Sequence, residues 1–319
     1  MRMMNKGLIA THRVGKCFSP VPRSFIEVRH CNLLRLRAAK GMISIFVAFS
    51  ALTGYVVKSG GLDTASLLVF VGIMLLAAGS ATLNNIQDRI LDRRFSRTSD
   101  RPFASGALSV AQGKRQSVIL LIMGSLLLYL APHGLLLLLL GYAAVVCYNL
   151  LYTPFKLQTL WAVVPGIISG MIPPLIGWIA AGGHLWSPKI CLIMALVGLW
   201  QLPHAWLIVL ANADEIRVSG TKNILYFFST AQVDRIVFAW VGCFVTTLVL
   251  LPVFGILRHP IFSFSLVIAG AIMIACYALG LFIVHSAKSY RHLFTLLNTI
   301  LGLTMLCCIL FNTIATTSY

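Results

Sequence analysis

Acidic residues are scarce in this chain: 319 residues hold only eight Asp and Glu, against 25 Lys and Arg. Charged residues of either sign make up 10% of the sequence and hydrophobic ones 59%, a balance that excludes an ordinary soluble domain. Metal-type cysteine spacing is also missing. The eight cysteines, at 17, 31, 147, 191, 243, 276, 307 and 308, include no C-x-x-C pair, so a zinc site or a disulfide framework is not expected and they read as small core residues. The first 40 residues lack an apolar run that would make a secretory signal. They carry nine cations and one acid, Glu27, which reads as a basic cytoplasmic tail, residues 1–40, although an organellar transit peptide shares that bias. Its end, Cys31 to Lys40, is expected to lie on the membrane as a short amphipathic helix.

What is abundant is apolar sequence in long runs. Nine stretches reach the length needed to cross about 30 Å of hydrocarbon: 42–57, 66–83, 116–132, 135–151, 160–181, 190–211, 236–257, 261–284 and 293–314. None contains Asp, Glu, Lys or Arg. Lipid offers backbone groups no water, so each should be a helix, and 41–319 should fold as one all-α domain of nine transmembrane helices around a central cavity. With alternating spans, 22 of the 25 Lys and Arg fall on one side and only Lys58, Lys189 and Arg258 on the other. That positive-inside pattern predicts a cytoplasmic N-terminus, or matrix if organellar, and explains the basic excess without nucleic acid.

The few acids are concentrated. Six of the eight lie in two polar segments, 84–115 and 212–235, which follow the second and sixth spans on the predicted cytoplasmic side. In the first, Asn84, Asp88 and Asp92 recur every four residues, so on a helix their oxygens line one face. Two carboxylates at i,i+4 repel unless a cation lies between them, and Mg²⁺ takes one or two carboxylates plus substrate phosphates. Arginines follow at once, Arg97 and Arg101 among them, as a metal-bridged diphosphate requires. The plainer alternative is a solvated loop with local ion pairs. In the second segment, Asp214 beside Glu215 suggests ligands for a second metal, with Lys222 as a further phosphate contact, or simply a salt-bridged cap. Lys156, the only cation of its loop, reads either as a diphosphate contact or as a topological charge.

Two spans carry unusual residues. The fifth contains Gly166, Gly170 and Pro173-Pro174, which should let helices approach closely and bend or interrupt the helix; packing alone would explain this, as would widening the bundle for a long apolar substrate. The sixth contains His204 beside Pro203, a functional candidate because it is polar inside a span, with a hydrogen-bonded structural histidine as the alternative.

Taken together these residues resemble the UbiA-type intramembrane prenyltransferases, and within them the haem O synthase (protoheme IX farnesyltransferase) branch. The likeness rests on Asn84-x-x-x-Asp88-x-x-x-Asp92, Thr53-Gly54-Tyr55, Arg97-Thr98 with Arg101-Pro102 and Gly106, Tyr152-Thr153 with Lys156, Pro173 to Trp178, and Trp200 to Trp206. It implies an Mg²⁺-dependent enzyme of the bacterial inner membrane that moves a farnesyl group from farnesyl diphosphate to a vinyl group of haem B. Asn84, Asp88, Asp92 and Asp214 would form the catalytic metal end, with Asp88, Asp92 and Asp214 as ligands. Arg97, Arg101, Lys156 and Lys222 would contact the diphosphate, and Tyr152, His204 and Trp206 would stand on the acceptor side. A haem A synthase or terminal oxidase assembly would be a partner. The chain departs from the family at Ala205 (usually Phe), at Lys40-Gly41 (usually Lys-Pro) and in the second loop. Competing readings are a quinone-precursor or lipid prenyltransferase, a transporter, and a haem-handling assembly factor without catalysis.

Overall fold

The computed structural model describes residues 25–218, 222–257 and 260–317. Most of the basic tail, Cys17, Arg258 and Gly220-Thr221 lie outside them. Every regular element among the described residues is helical: α1 (Phe25–Ala38), α2 (Gly41–Ser59), α3 (Thr64–Asp92), α4 (Val110–Leu130), α5 (Gly134–Val146), α6 (Thr153–Phe155), α7 (Val163–Ala180), α8 (Pro188–Ala211), α9 (Ala213–Val218), α10 (Ile224–Phe227), α11 (Thr230–Val253), α12 (Pro260–Leu279) and α13 (Ala287–Thr317). Nine membrane-length apolar segments result among the described residues, close to the nine expected, with α5 continuing through a π-helical turn, Cys147–Tyr152, into α6.

Helix starts follow local chemistry. Asp63 with Ser66, Ser109 with Gln112, and Ser229 with Gln232 form reciprocal capping boxes at the heads of α3, α4 and α11. Gly60, at φ 78°, ends α2 in the left-handed conformation, and Tyr55 then clasps Asp63 across the turn with hydroxyl bonds of 2.6 and 2.7 Å. Burial alone would raise the Asp63 carboxyl, but the Tyr55 hydroxyl and the backbone N–H groups of the cap outweigh it and hold it below its usual value.

Three expectations change. The second span does not end at 83; α3 runs on for two further turns and carries Asp88, Arg89 and Asp92 as helix. Hydropathy stops at the first charge, whereas the helix continues because its polar face is buried by neighbouring protein. Pro173-Pro174 does not interrupt α7. Instead Gly54 of α2 faces the Pro174 carbonyl and Gly177 faces the Ala51 carbonyl so closely that a Cβ at either would strike backbone, so the glycines set the α2–α7 contact. Finally, Cys31 is disulfide-bonded, whereas the sequence reads its cysteines as small core residues. The other described cysteines are free.

The tail's last segment does form a helix. α1 buries Leu34 and Ala38 against Ile86, Phe103, Ala107 and Leu108 of α3 and the following loop, while Leu33 and Leu36 face outward. A second anchor pins the π-helical turn to α3: Asn149, fully buried, accepts from Ser80 Oγ, donates to the Ser80 carbonyl, and offers its own carbonyl to Gln87. Leaving such a buried amide unpaired costs about 1–3 kcal/mol, so this register is well determined.

Candidate active site

The last two turns of α3 carry Asn84, Asp88 and Asp92, all buried, at the end of the bundle where α1, the loop after α3 and α6 meet. Asn84 is saturated. Its amide nitrogen donates to Asp88 Oδ2 and to Thr153 Oγ1, each at 3.0 Å. Its oxygen accepts from Lys40 Nζ at 2.7 Å and from the Tyr148 hydroxyl at 3.2 Å. Lys156 Nζ donates to Asp88 Oδ2 at 2.6 Å, and Arg101 Nη1 reaches both oxygens of Asp92 at 2.9 and 3.0 Å. The repulsion between i,i+4 carboxylates, which in the sequence argued for a metal, is therefore already met by protein cations.

The loop after α3 is folded back to make this possible. Thr98 donates to the Asp92 carbonyl and Arg93 to the Ala104 carbonyl, and Gly106 takes a positive φ of 77° to complete the turn. Arg97 lies in the fields of Asp92, Arg101 and Glu215. Glu215 accepts the Ser96 backbone N–H at 2.5 Å and so ties the second polar segment to the first. Lys40 holds its place at a cost: its backbone is left-handed, φ 47° and ψ 51°, a conformation that a non-glycine residue seldom adopts. Burial, aided by Arg101, lowers its ammonium to about 8. Gly41 suits that turn, since a proline there would push residue 40 toward extended backbone.

Lys40 is also part of the wall of a mostly apolar cavity of about 340 Å³ that runs into the bundle. Ile43, Val47, Leu76, Tyr148, Tyr152 and His204 are among its lining. The π-helical turn presents Tyr148 and Tyr152 there as a stacked pair, 5.6 Å between centroids, and local π-helix is frequent at functional sites. Deeper in, the His204 ring lies between Trp200 (4.4 Å) and Phe294 (4.6 Å). Its Nδ1 is 2.9 Å from Asn298 Oδ1, while Asn298 Nδ2 donates to the Phe294 carbonyl. With the amide so oriented the proton sits on Nδ1, and in the neutral ring Nε2 is left as an acceptor. The neighbouring Trp200 indole N–H is buried without a partner.

The structure thus gathers Asn84, Asp88, Asp92, Arg97, Arg101 and Lys156 at one mouth, and Tyr152 and His204 on the cavity wall. It does not bring the others in. Asp214 and Lys222 are exposed, Trp206 packs against the core without lining the cavity, and among the described residues no three acidic, His or Cys side chains group as a metal site. Sequence reasoning missed Lys40 and Tyr148 as members, and read Glu215 as a candidate metal ligand where the structure has it accepting the Ser96 backbone N–H. Lys40 had a signal, being the last charge before the first span; the other two act through partners 64 and 119 residues away.

Two buried carboxylates one turn apart, with an amide oxygen on the same face, form a hard, oxygen-only donor set. They fit Mg²⁺ in the mode that completes its shell with phosphate oxygens and water, not a closed protein cage.

Known proteins resemble the chain in sequence and in fold. The model of the UbiA prenyltransferase family matches residues 47–298. A protoheme IX farnesyltransferase of Oleidesulfovibrio alaskensis is 34% identical over 242 residues, 75% of this chain and 82% of the relative. Among solved structures, one from work on digeranylgeranylglyceryl phosphate synthase superposes with TM-score 0.70 at 18% identity, covering 88% of this chain and 98% of its own. A UbiA homologue from Archaeoglobus fulgidus bound to GPP and Mg²⁺ superposes with TM-score 0.61 at 15% identity, covering 86% and 99%.

Proposed function

Because the chain belongs to the UbiA prenyltransferase family, we propose that it transfers the farnesyl group of farnesyl diphosphate to a vinyl group of haem B, making haem O. The observation that carries this reading is the buried Asn84–Asp88–Asp92 ladder, bonded to Lys156 and Arg101 and joined at Asn84 to Lys40 and Tyr148 of an apolar cavity wall. The reading places the diphosphate among Arg97, Arg101 and Lys156, with the farnesyl tail along Ile43, Val47 and Leu76. Mg²⁺ held by Asp88 and Asp92 would supply neutralising charge to the departing diphosphate. Arg101 and Lys156, fixed by their carboxylates, meet that growing charge without reorganising. The allylic carbon–oxygen bond breaks, the vinyl carbon forms the new carbon–carbon bond, and water adds to the cation left on the acceptor. Apolar walls keep water from the farnesyl cation until then.

His204, an acceptor at Nε2, is assigned to the haem side together with Tyr152, and Trp206 supports that wall from behind. Asp214 and Lys222 take a lesser role at the exposed rim, Asp214 as the acid available to a second ion. Residues 41–319 act as one catalytic domain in the membrane. The positive-inside distribution puts the charged mouth on the cytoplasmic face of the bacterial inner membrane, where a haem A synthase or terminal oxidase assembly would receive the product. The test is an acceptor competition: purified protein with farnesyl diphosphate, Mg²⁺, and haem B or an aromatic quinone precursor. A farnesylated, hydrated haem is expected; prenylation of the aromatic ring alone would move the chain to another acceptor class.

A further inference from the structure

The charge at the mouth has the wrong sign for a bare metal ion. Lys40, Arg97, Arg101 and Lys156 surround Asp88 and Asp92, with Glu215 the next carboxylate, so four cations face three acids. Both buried carboxylates are in contact with a cation, and the Asn84 oxygen is taken by Lys40 and Tyr148. A dication approaching these oxygens meets net positive charge at short range in a partly desolvated site, where repulsion is poorly screened. A diphosphate, or a metal already carrying one, meets attraction instead.

We propose that this site takes its metal only together with a diphosphate, and that Lys40 enforces the order. Lys40 suits the role on three counts. It is bonded to Asn84 and not to a carboxylate, so it can leave without stranding a buried anion. It lines the cavity as well as the carboxylate ladder, so an incoming diphosphate lies within its reach. Its left-handed backbone stands at the junction of α1 and α2, from which the side chain reaches Asn84. When the anion enters, the ammonium turns from Asn84 to a phosphate oxygen and frees one lone pair of the amide oxygen, Tyr148 keeping the other. No covalent bond changes in this exchange.

The inference rests on the diphosphate site proposed above, and its test separates the two. Full-length protein in detergent is dialysed to equilibrium against Mn²⁺, alone or with inorganic pyrophosphate, and protein-bound Mn²⁺ is measured. Wild type should retain Mn²⁺ with pyrophosphate and almost none without it. Lys40→Met should bind Mn²⁺ alone about tenfold more tightly than wild type, as expected for one cation removed at close range, and bind it less tightly than wild type when pyrophosphate is present. Lys40→Arg should follow wild type. Equal Mn²⁺ binding by wild type with and without pyrophosphate overturns the ordered entry and leaves the site standing. Weaker binding by Lys40→Met under both conditions overturns the role of Lys40, and no Mn²⁺ retained under either condition overturns the diphosphate site itself. Unchanged melting of Lys40→Met verifies that the variant is folded.

Discussion

The end of α3 and the head of α11 each bury carboxylate, and they do so differently. Asp88 and Asp92 are compensated by Lys156 and Arg101, full charges beside a cavity. Asp234, 1% exposed, is compensated by the Tyr290 hydroxyl at 3.3 Å and His285 Nδ1 at 3.2 Å, and its Oδ1 has no partner. His285 sits in a left-handed turn between the π-helical end of the eighth span and α13, so this cluster fastens three helix ends. The difference teaches what distinguishes a site from a clasp: at α3 the compensating groups are cations that also suit an anionic ligand, whereas at α11 a hydroxyl and an imidazole tie helix ends together. The polar segment between them, α9, has its acids outside both clusters except for the link from Glu215 to Ser96.

Several interventions break or sharpen that contrast. Removing divalent ions with a chelator should take farnesyl transfer to background, a loss of at least about 100-fold if electrostatic stabilisation of the leaving group is the main catalytic term; the rate of haem consumption reads it. Arg101→Met should lower stability by about 2 kcal/mol, below the 3–5 of a fully buried pair because Arg101 keeps 30% of its side-chain surface exposed. Denaturation in detergent measures this, and a larger loss of transfer rate should accompany it.

Glu215→Gln should have a smaller effect. It weakens the tie between the two polar segments and should raise the KM for farnesyl diphosphate about three- to tenfold with little change in kcat, as expected for the loss of one charged hydrogen bond. Asp214→Asn should be the mildest, less than about threefold in kcat/KM, since Asp214 is exposed and outside the carboxylate ladder. A large loss there would show that α9 closes over the mouth as a second metal-binding element.

Much of this was readable from the sequence. The apolar runs located all nine membrane-length helices, because lipid imposes one length and one secondary structure on each. The four-residue acid spacing picked out three side chains that the fold buries together at the end of α3. Composition failed where burial is supplied by distant chain: it ended the second span at 83 because no window reports that Lys40, Thr153 and Lys156 cover the next two turns. Pro173-Pro174 read as a bend or a break because a proline's cost is local; the helix is not broken there, and Gly54 of another helix packs against the Pro174 carbonyl. His204 was visible as a polar residue in a span, but its partner Asn298 lies 94 residues away and only the fold shows which nitrogen is left as an acceptor.

The contrast between site and clasp is tested most directly by measuring haem farnesylation and melting temperature in parallel for Asp88→Asn and Asp234→Asn. The account predicts opposite outcomes: Asp88→Asn loses transfer far out of proportion to any fall in melting temperature, while Asp234→Asn shifts in melting and retains most of its transfer rate per folded molecule. Transfer at the wild-type rate by Asp88→Asn, or its loss in a normally melting Asp234→Asn, would contradict it.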